Sequence, residues 1–276
     1  MSPIRYIFSL CVLAMWVLCG IGIANGQWTG IHWIMLGLAH IACAIIFRNF
    51  VYVFNYGYGT SMVLVNAAVI AWKPAPAVLL VGGLGILYGI RLILFVYARY
   101  SGASYGKIKA SSAQANAAVP MPFRLFMWIS CSWLMAFVPM AAWVVGNAPA
   151  TGLAPGVIVG AALMLAGLLF ESVADAQKQS AKAAHPARFV STGLYARIRH
   201  PNYLGEIAFQ LGLIVAATSA ASGAWAVGAG IVGPLYVAIL MYYQSIEQDR
   251  GQDKRYGKDP DWQAYRERSG SLLPGP

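Results

Sequence analysis

The chain has 276 residues, of which 59% are hydrophobic and only 10% are charged. A soluble globular domain carries about a quarter charged residues, so this composition excludes a soluble enzyme, a disordered chain and a disulfide-rich secreted domain, and indicates an integral membrane protein. The net charge of +10 is unevenly divided, because residues 1–170 hold eight Lys and Arg and no acid, whereas residues 171–276 hold eleven basic and all nine acidic residues.

Eight apolar segments are candidates for membrane spans, since crossing the hydrocarbon layer takes roughly 20 apolar residues as helix. In chain order they cover 5–25, 30–48, 57–73, 76–99, 123–146, 154–175, 203–220 and 224–246. The third segment is short and could form a tight pair with the fourth, which leaves seven spans as the alternative count. We predict an all-α polytopic helix bundle that forms one membrane domain over residues 1–276.

The basic residues predict the orientation of this bundle. With the N-terminus inside, 17 of the 19 Lys and Arg lie on the cytoplasmic side, as the positive-inside rule requires. Lys73 then faces out and Arg91 lies within a helix. We therefore expect both termini in the cytoplasm, in the inner (plasma) membrane of a bacterium. The basic residues form no dense patch with interleaved aromatics, so no nucleic-acid partner is expected.

A first polar cluster ends the sixth segment. Glu171, Asp175, Lys178 and Lys182 are spaced by four, three and four residues, which places them on one helix face. This pattern fits either a solvated helix end with ion pairs or a polar site. Glu171 directly follows an apolar run, so its carboxylate is expected at the membrane boundary, where a charge needs a partner.

A second cluster lies between Tyr195 and Glu206, at the entry of an apolar helix. Arg197 and Arg199 supply planar forks that suit phosphate or carboxylate, while Glu206 lies one turn into the helix. The alternative is an interfacial loop anchored by Arg and Tyr. In a third cluster Tyr243 and Glu247 share a face of the last helix, although an interfacial anchor explains that region equally well. Together the three clusters hold the groups needed to bind a phosphate-bearing ligand at one membrane face.

The second and third clusters contain motifs of a known superfamily. The motifs are Gly193-Leu194-Tyr195, then Arg199-His200-Pro201-Asn202-Tyr203 with Gly205, and later Glu247 with Tyr256-Gly257. Over roughly the last 110 residues the sequence resembles the steroid 5-alpha-reductases, the sterol C14 and C7 reductases, and the isoprenylcysteine and phospholipid methyltransferases. Glu206 and the helix end 171–177 resemble the reductase branch, in particular its uncharacterised bacterial relatives.

The resemblance implies a division of labour and a cofactor. Residues 1–170 are expected to form the membrane body with a lipid substrate cavity, and residues 171–276 to form the cofactor-binding part, which faces the cytoplasm and binds NADPH. The residues implied to bind NADPH are Asp175, Lys182, Arg188, Asn202 and Glu206, with Arg197, Arg199, His200 and Tyr203 shaping the same pocket. Glu171, Tyr243 and Glu247 are predicted as further cofactor-binding residues.

The fourth segment holds the predicted catalytic pair, Tyr88 and Arg91. The reductase family has a tyrosine followed three residues later by a basic residue, with the tyrosine as proton donor, and a phenol beside a guanidinium group can polarise a carbonyl oxygen. The alternative is a packing tyrosine with an arginine that reaches a carbonyl or the interface. Characterised steroid 5-alpha-reductases hold the 3-oxo group of the substrate with an early Gln-Glu pair. No acid precedes Glu171 here, so His40 or Asn55 is predicted to contact the substrate instead. The alternative for His40 is a packing histidine within its helix.

The predicted function is an NADPH-dependent reduction of a carbon-carbon double bond conjugated to a carbonyl in a lipophilic, steroid-like or isoprenoid, substrate from the bilayer. One alternative is an S-adenosylmethionine-dependent methyltransferase of a lipid or a prenylated thiol. A second is a non-enzymatic membrane protein that binds lipids. No metal site is predicted, because the four histidines form no ligand cluster. The sequence leaves open the natural substrate, the choice between NADPH and NADH, and the oligomeric state.

Overall fold

A computed structural model describes residues 4–101, 106–148 and 153–275, and this part of the chain is helical with no strands. Its α-helices are α1 (Ile4–Ala24), α2 (Gly30–Cys43), α3 (Tyr56–Trp72), α4 (Pro76–Ser101), α5 (Gly106–Ala118), α6 (Met121–Phe137), α7 (Met140–Gly146), α8 (Pro155–Ala184), α9 (Pro201–Ala220), α10 (Ala224–Tyr256) and α11 (Pro260–Arg268). Short 3-10 helices cover Ala44–Phe47, Phe50–Phe54 and Gly193–Ala196.

Within the described residues, seven helical segments are long and apolar enough to cross a membrane. They are Tyr6–Ala24, Gly30–Phe47, Pro76–Ser101, Met121–Gly146, Pro155–Ala184, Pro201–Ala220 and Ala224–Tyr256. The predicted all-α polytopic membrane bundle is therefore confirmed. Seven spans are the alternative count, and they would place the two termini on opposite sides of the membrane, whereas two cytoplasmic termini require α3 as an eighth span. The remaining predicted segment, 57–73, is helical as α3 but has only 17 residues.

The segment predicted at 123–146 consists of two helices, α6 and α7, with a break at Val138 and Pro139. Proline has no backbone N–H to donate to the preceding turn, and its ring clashes with the carbonyl four residues earlier. The amide of Ala142 donates to the Pro139 carbonyl, at 3.0 Å, and so starts the second helix.

The chain divides into two compact units. The first contains Met1–Ala162 and Gly212–Tyr236, and the second contains Leu163–Leu211 and Val237–Pro276. The boundaries lie inside α8, α9 and α10, so each of these helices belongs partly to either unit. The boundary predicted at residues 170 and 171 also lies inside α8, but residues 212–236 group with the first unit. The functional roles assigned to the two parts stay predictions.

In the first unit, α3 and α4 pack backbone against backbone. A Cβ atom added to Gly89 would lie 2.5 Å from the carbonyl oxygen of Gly59, so only glycine permits this approach. Small residues at such crossings are typical of membrane helix pairs, which associate through close van der Waals packing. This contact buries the middle of α4, where Tyr88 lies.

In the second unit, α8 and α9 cross in the same way. A Cβ atom on Gly205 would lie 2.7 Å from the backbone nitrogen of Glu171, and one on Gly167 would lie 2.5 Å from the carbonyl oxygen of Gly205. Two glycines on facing helices therefore bring Glu171 directly against the first turn of α9. This crossing sets the position of the polar groups described next.

Candidate functional site

The second unit buries three acidic side chains close to the crossing of α8 and α9. Glu171 and Asp175 lie one turn apart on α8, and Glu206 lies on α9; they are 7%, 4% and 5% exposed. Glu206 Oε1 accepts a hydrogen bond from Nε2 of the fully buried Gln210, at 2.7 Å. A carboxylate is costly to bury unless it is hydrogen-bonded or paired, so three buried acids near one helix crossing form a candidate polar site.

Tyr195 joins this cluster from the 3-10 helix Gly193–Ala196. Its hydroxyl donates to Oδ1 of Asn202 at 3.4 Å, and its side chain is buried. Burial raises the pKa of the Tyr195 phenol well above its ordinary value, and the negative charges of Asp175 and Glu171 raise this pKa further. The phenol is therefore neutral at physiological pH and can serve as a hydrogen-bond donor beside the carboxylates.

A second buried network lies around Asp249 on α10. Oδ1 of Asp249 accepts from Nε of Arg199 at 2.9 Å, and Oδ2 accepts from Nη2 of the same guanidinium at 3.0 Å. Oδ1 of Asp249 is also 2.9 Å from Nε2 of His200. Two consecutive residues of the loop before α9 are thus held by a single carboxylate of α10.

Burial lowers the pKa of the His200 imidazole, and the positive charges of Lys178 and Arg199 lower it further, while the hydrogen bond to Asp249 opposes the shift. The ring is therefore neutral at physiological pH. Its Nε2 carries the proton in this geometry and donates a hydrogen bond to Oδ1 of Asp249. The ring also stacks on Tyr203, with centroids 5.4 Å apart and planes 12° from parallel.

The C-terminal segment closes over the same loop. Nη1 of Arg199 donates to the carbonyl oxygen of Ser269 and, at 3.1 Å, to the Ser269 hydroxyl. The amide of His200 donates to the carbonyl of Ser271 at 3.0 Å. The hydroxyl of Tyr265 donates to the carbonyl of Tyr195 at 2.6 Å. Asp249 and Ser269 engage all three nitrogens of the Arg199 guanidinium, and these contacts hold the loop in place.

Aromatic packing and a salt bridge hold α11 against the rest of the second unit. Phe189 packs on Trp262 and Tyr265, with ring centroids 5.1 and 5.4 Å apart. Nε1 of Trp262 donates to Oδ1 of Asp253 at 3.1 Å, and Nε of Arg266 is 3.2 Å from the same oxygen. Burial raises the pKa of Tyr265 to about 12, so this phenol also stays neutral.

Several of the predicted cofactor residues lie outside the buried cluster. Nζ of Lys182 donates to the backbone carbonyls of Pro186, at 3.5 Å, and of Arg188. The exposed side chain of Arg188 is 2.8 Å from Oδ2 of Asp261. The structure thus separates these predicted residues into three groups. Glu171, Asp175, Asn202 and Glu206 gather at the α8–α9 crossing, and Arg199 and His200 hold the loop, whereas Lys182 and Arg188 hold the segment that follows α8.

The remaining predicted residues of the second unit are more exposed. Glu247 is exposed and pairs with Arg250, at 2.6 Å. Arg197 is also exposed, whereas Tyr203 and Tyr243 are half-buried. These positions stay predictions.

Sequence reasoning missed Asp249, Gln210 and Gln177. Oε1 of Gln177 accepts from the Leu194 amide at 2.8 Å and so fixes the start of the 3-10 helix. Ser245 and Asp249 lie four residues apart on α10 and are both buried, but only the structure shows this burial. The sequence predicted Glu247 instead. Glu247 lies two residues before Asp249 and therefore faces a different side of α10.

In the first unit, Tyr88 is buried and its ring centroid lies 5.6 Å from that of Tyr58. The guanidinium carbon of Arg91 lies 5.3 Å from the ring centroid of Phe95, one turn further along α4. The structure places Tyr88 at a helix–helix contact, as its packing interpretation requires. The catalytic role stays a prediction.

The predicted substrate residues also lie in the first unit. Nδ1 of His40 donates to the Leu36 carbonyl at 2.8 Å, and its ring meets Trp128 edge to face. Asn55 lies between the 3-10 helix Phe50–Phe54 and α3.

No three His, Cys, Asp or Glu side chains of the described ranges lie close enough together to hold a metal ion. A model of the family described as "protein of unknown function (DUF1295)" matches residues 44–269. No curated protein and no solved structure matches the chain.

Proposed function

Since the chain belongs to the family of unknown function DUF1295, within the steroid 5-alpha-reductase-like superfamily, we propose that it is a membrane oxidoreductase that uses NADPH. The proposed reaction reduces a carbon-carbon double bond conjugated to a carbonyl in a lipophilic, steroid-like or isoprenoid, substrate. When bound, NADPH would supply the hydride.

The observation that carries this proposal is the buried group of Glu171, Asp175 and Glu206, with Asn202 and Gln210 beside it. Carboxylates accept hydrogen bonds from ribose hydroxyls, and side-chain amides can both donate to and accept from a carboxamide. These groups lie in a helix pair whose other residues are largely apolar, an arrangement typical of cofactor sites. The donors and acceptors present therefore fit the ribose and nicotinamide of a dinucleotide.

Basic side chains near the same site could bind the phosphate groups of NADPH. Lys178 shares a face of α8 with Glu171 and Asp175, and Arg197 is exposed two residues before the buried Arg199. Because Asp249 and Ser269 engage the Arg199 guanidinium, we assign phosphate binding to Lys178 and Arg197 and loop positioning to Arg199. Arg197→Ala should therefore weaken NADPH binding without unfolding the second unit.

A proton must reach the reduced substrate, and Tyr88 of the first unit is the proposed donor. A buried phenol is neutral and can protonate an enolate, and the nearby Arg91 on the same helix can stabilise the negative charge that develops. His40 and Asn55 of the same unit remain the proposed substrate contacts.

A ligand titration of the detergent-purified protein tests the cofactor. Thermal unfolding is followed with NADPH, NADH and S-adenosylmethionine, because a ligand that binds only the folded state raises the unfolding midpoint. We expect NADPH to raise the midpoint, Glu206→Gln to remove most of the shift, and the exposed control Glu267→Gln to retain it. Stabilisation by S-adenosylmethionine alone would replace the reductase by a lipid methyltransferase, and no response to any of the three would favour the non-enzymatic lipid-binding function.

A further inference from the structure

The first unit contains a cluster of aromatic side chains where α1 ends and α2 begins. His32 lies at its centre, with ring centroids 4.8 Å from Trp28 and 4.4 Å from Trp143. Trp225 closes another side, 5.6 Å from His32. Its indole Nε1 donates to the Leu18 carbonyl, at 2.7 Å, so this one tryptophan has its hydrogen bond within the protein.

Three other ring nitrogens of this cluster are buried and have no hydrogen-bond partner among the described residues. They are Nε1 of Trp28, Nε2 of His32 and Nε1 of Trp143. The three side chains are only 7%, 0% and 8% exposed, so bulk water does not satisfy these groups. A buried donor without an acceptor is costly, and each such group in a native protein requires an explanation.

The hydrogen bonding of His32 shows which kind of group is missing. Its Nδ1 accepts from the Thr29 amide at 2.9 Å, so the neutral ring carries its proton on Nε2. An indole nitrogen is a donor and never an acceptor. All three buried nitrogens are therefore donors, and the complementary ligand must present acceptor oxygens.

The surroundings exclude a strongly charged acceptor. None of the three donors is cationic, and phosphate or carboxylate sites normally contain Arg or Lys. An uncharged carbonyl oxygen fits neutral N–H donors among aromatic rings. This cluster lies at the ends of helices that can cross a membrane. The ends of such helices lie at the depth at which lipids carry their ester carbonyls.

Burial distinguishes this cluster from an ordinary aromatic belt. Belt tryptophans face the lipid, as Trp33 does with 51% of its surface exposed. Trp28 and Trp143 instead turn their rings toward His32 inside the unit. We propose that Trp28, His32 and Trp143 form a binding site for the carbonyl oxygens of a membrane lipid, either the esters of a glycerolipid or the ring carbonyls of an isoprenoid quinone. None of these three residues takes part in the proposed reductase chemistry.

A pair of matched lipids tests this site without any mutation. The delipidated full-length protein is titrated with dioleoylphosphatidylglycerol and with its dialkyl ether analogue, which lacks both carbonyls, and bound lipid is counted by native mass spectrometry. We expect the ester lipid to bind on the order of 5-fold tighter for each hydrogen bond formed. Equal affinities in the wild-type protein would overturn the proposal and leave ordered water as the only partner of the three donors.

Variants then locate the effect. Trp28→Phe combined with Trp143→Phe keeps two rings and removes two donors, so the ester-to-ether affinity ratio should fall toward one. Trp33→Phe, the exposed neighbour, should retain the wild-type ratio. A ratio that survives in the double variant counts against this site. In a third titration decylubiquinone competes with the ester lipid. If it displaces the lipid from the wild-type protein but not from the double variant, a quinone is the source of the carbonyl.

Discussion

Asp249 of α10 and Arg199 of the loop before α9 form a two-pronged ion pair, with Nε and Nη2 of the arginine 2.9 and 3.0 Å from the two carboxylate oxygens. Both residues are buried. Such planar pairs combine charge with fixed geometry, and breaking one by removing a partner leaves a buried charge uncompensated. The Arg-His pair of the sequence motif thus acts as a clamp that holds the α9 entry loop to α10 and to the C-terminal segment.

Asp249→Asn tests this clamp. The variant keeps the shape of the side chain but removes its charge, so we expect the second unit to lose about 3–5 kcal/mol of stability. The exposed pair between Glu247 and Arg250 supplies the control, since Glu247→Gln should cost at most about 1 kcal/mol. Thermal unfolding in detergent, followed by tryptophan fluorescence, compares the two, and equal midpoints would contradict a structural role for the ion pair.

His200 predicts a pH dependence of stability. Its pKa in the folded protein lies below the ordinary value of 6.5, so the unfolded chain takes up this proton first as the pH falls. The stability that the neutral His200 ring contributes is fully present above pH 6.5. It is lost as the pH decreases toward the lowered pKa of His200 in the folded protein. We expect the unfolding temperature of the wild-type protein to decrease as the pH is lowered from neutral into this range. His200→Gln, which retains a donor to Asp249, should show a flatter profile, and an unchanged slope would count against the assignment.

Gly205→Ala tests the crossing of α8 and α9. The added methyl group would lie 2.7 Å from the backbone of Glu171, so the helices must separate, and we expect a destabilisation of about 1–3 kcal/mol. NADPH binding should weaken as well, because the crossing positions Glu171 beside Glu206. Gly251→Ala on α10 is the matched control, since no atom lies within 4 Å of the added group and alanine favours a helix. Equal behaviour of the two variants would show that the crossing tolerates a wider separation.

Tyr88→Phe tests the proposed proton donor. The variant keeps the ring that packs against Tyr58 and removes only the hydroxyl, so kcat should fall by about 10²–10⁴-fold while the fold is retained. The rate of NADPH oxidation with an enone lipid measures the effect. Tyr97→Phe, at an exposed position of the same helix, should keep wild-type turnover. Full turnover of purified Tyr88→Phe removes this tyrosine from the mechanism.

The fold class and the polar clusters could be predicted because they depend on local pattern. The apolar runs predicted the membrane helices, and the four-residue spacing of Glu171 and Asp175 predicted their common face. The number of spans does not follow from hydropathy alone, because α3 with 17 residues is near the minimum length for a crossing. The helix break at Pro139, inside the segment 123–146, could also have been predicted from the sequence, since proline interrupts helices.

The partners of the motif residues could not be predicted in this way. Arg199 and Asp249 are fifty residues apart, and no periodic pattern relates a loop arginine to one particular carboxylate on a later helix. Arg199 therefore resembled a phosphate ligand when only its neighbours in the chain were considered. Glu247 resembled a site residue for the same reason, although the structure leaves its carboxylate at the surface beside Arg250.

The sequence by itself determined the membrane-spanning character of this protein and the confinement of every acidic residue to positions 171–276, because hydropathy and charge are sums over local composition. Only the tertiary structure decided which acids are buried, which arginine is neutralised, and which indole nitrogens lack an acceptor. Burial and hydrogen bonding depend on groups far apart in the chain, whose approach is set by helix crossings such as that of Gly167 and Gly205.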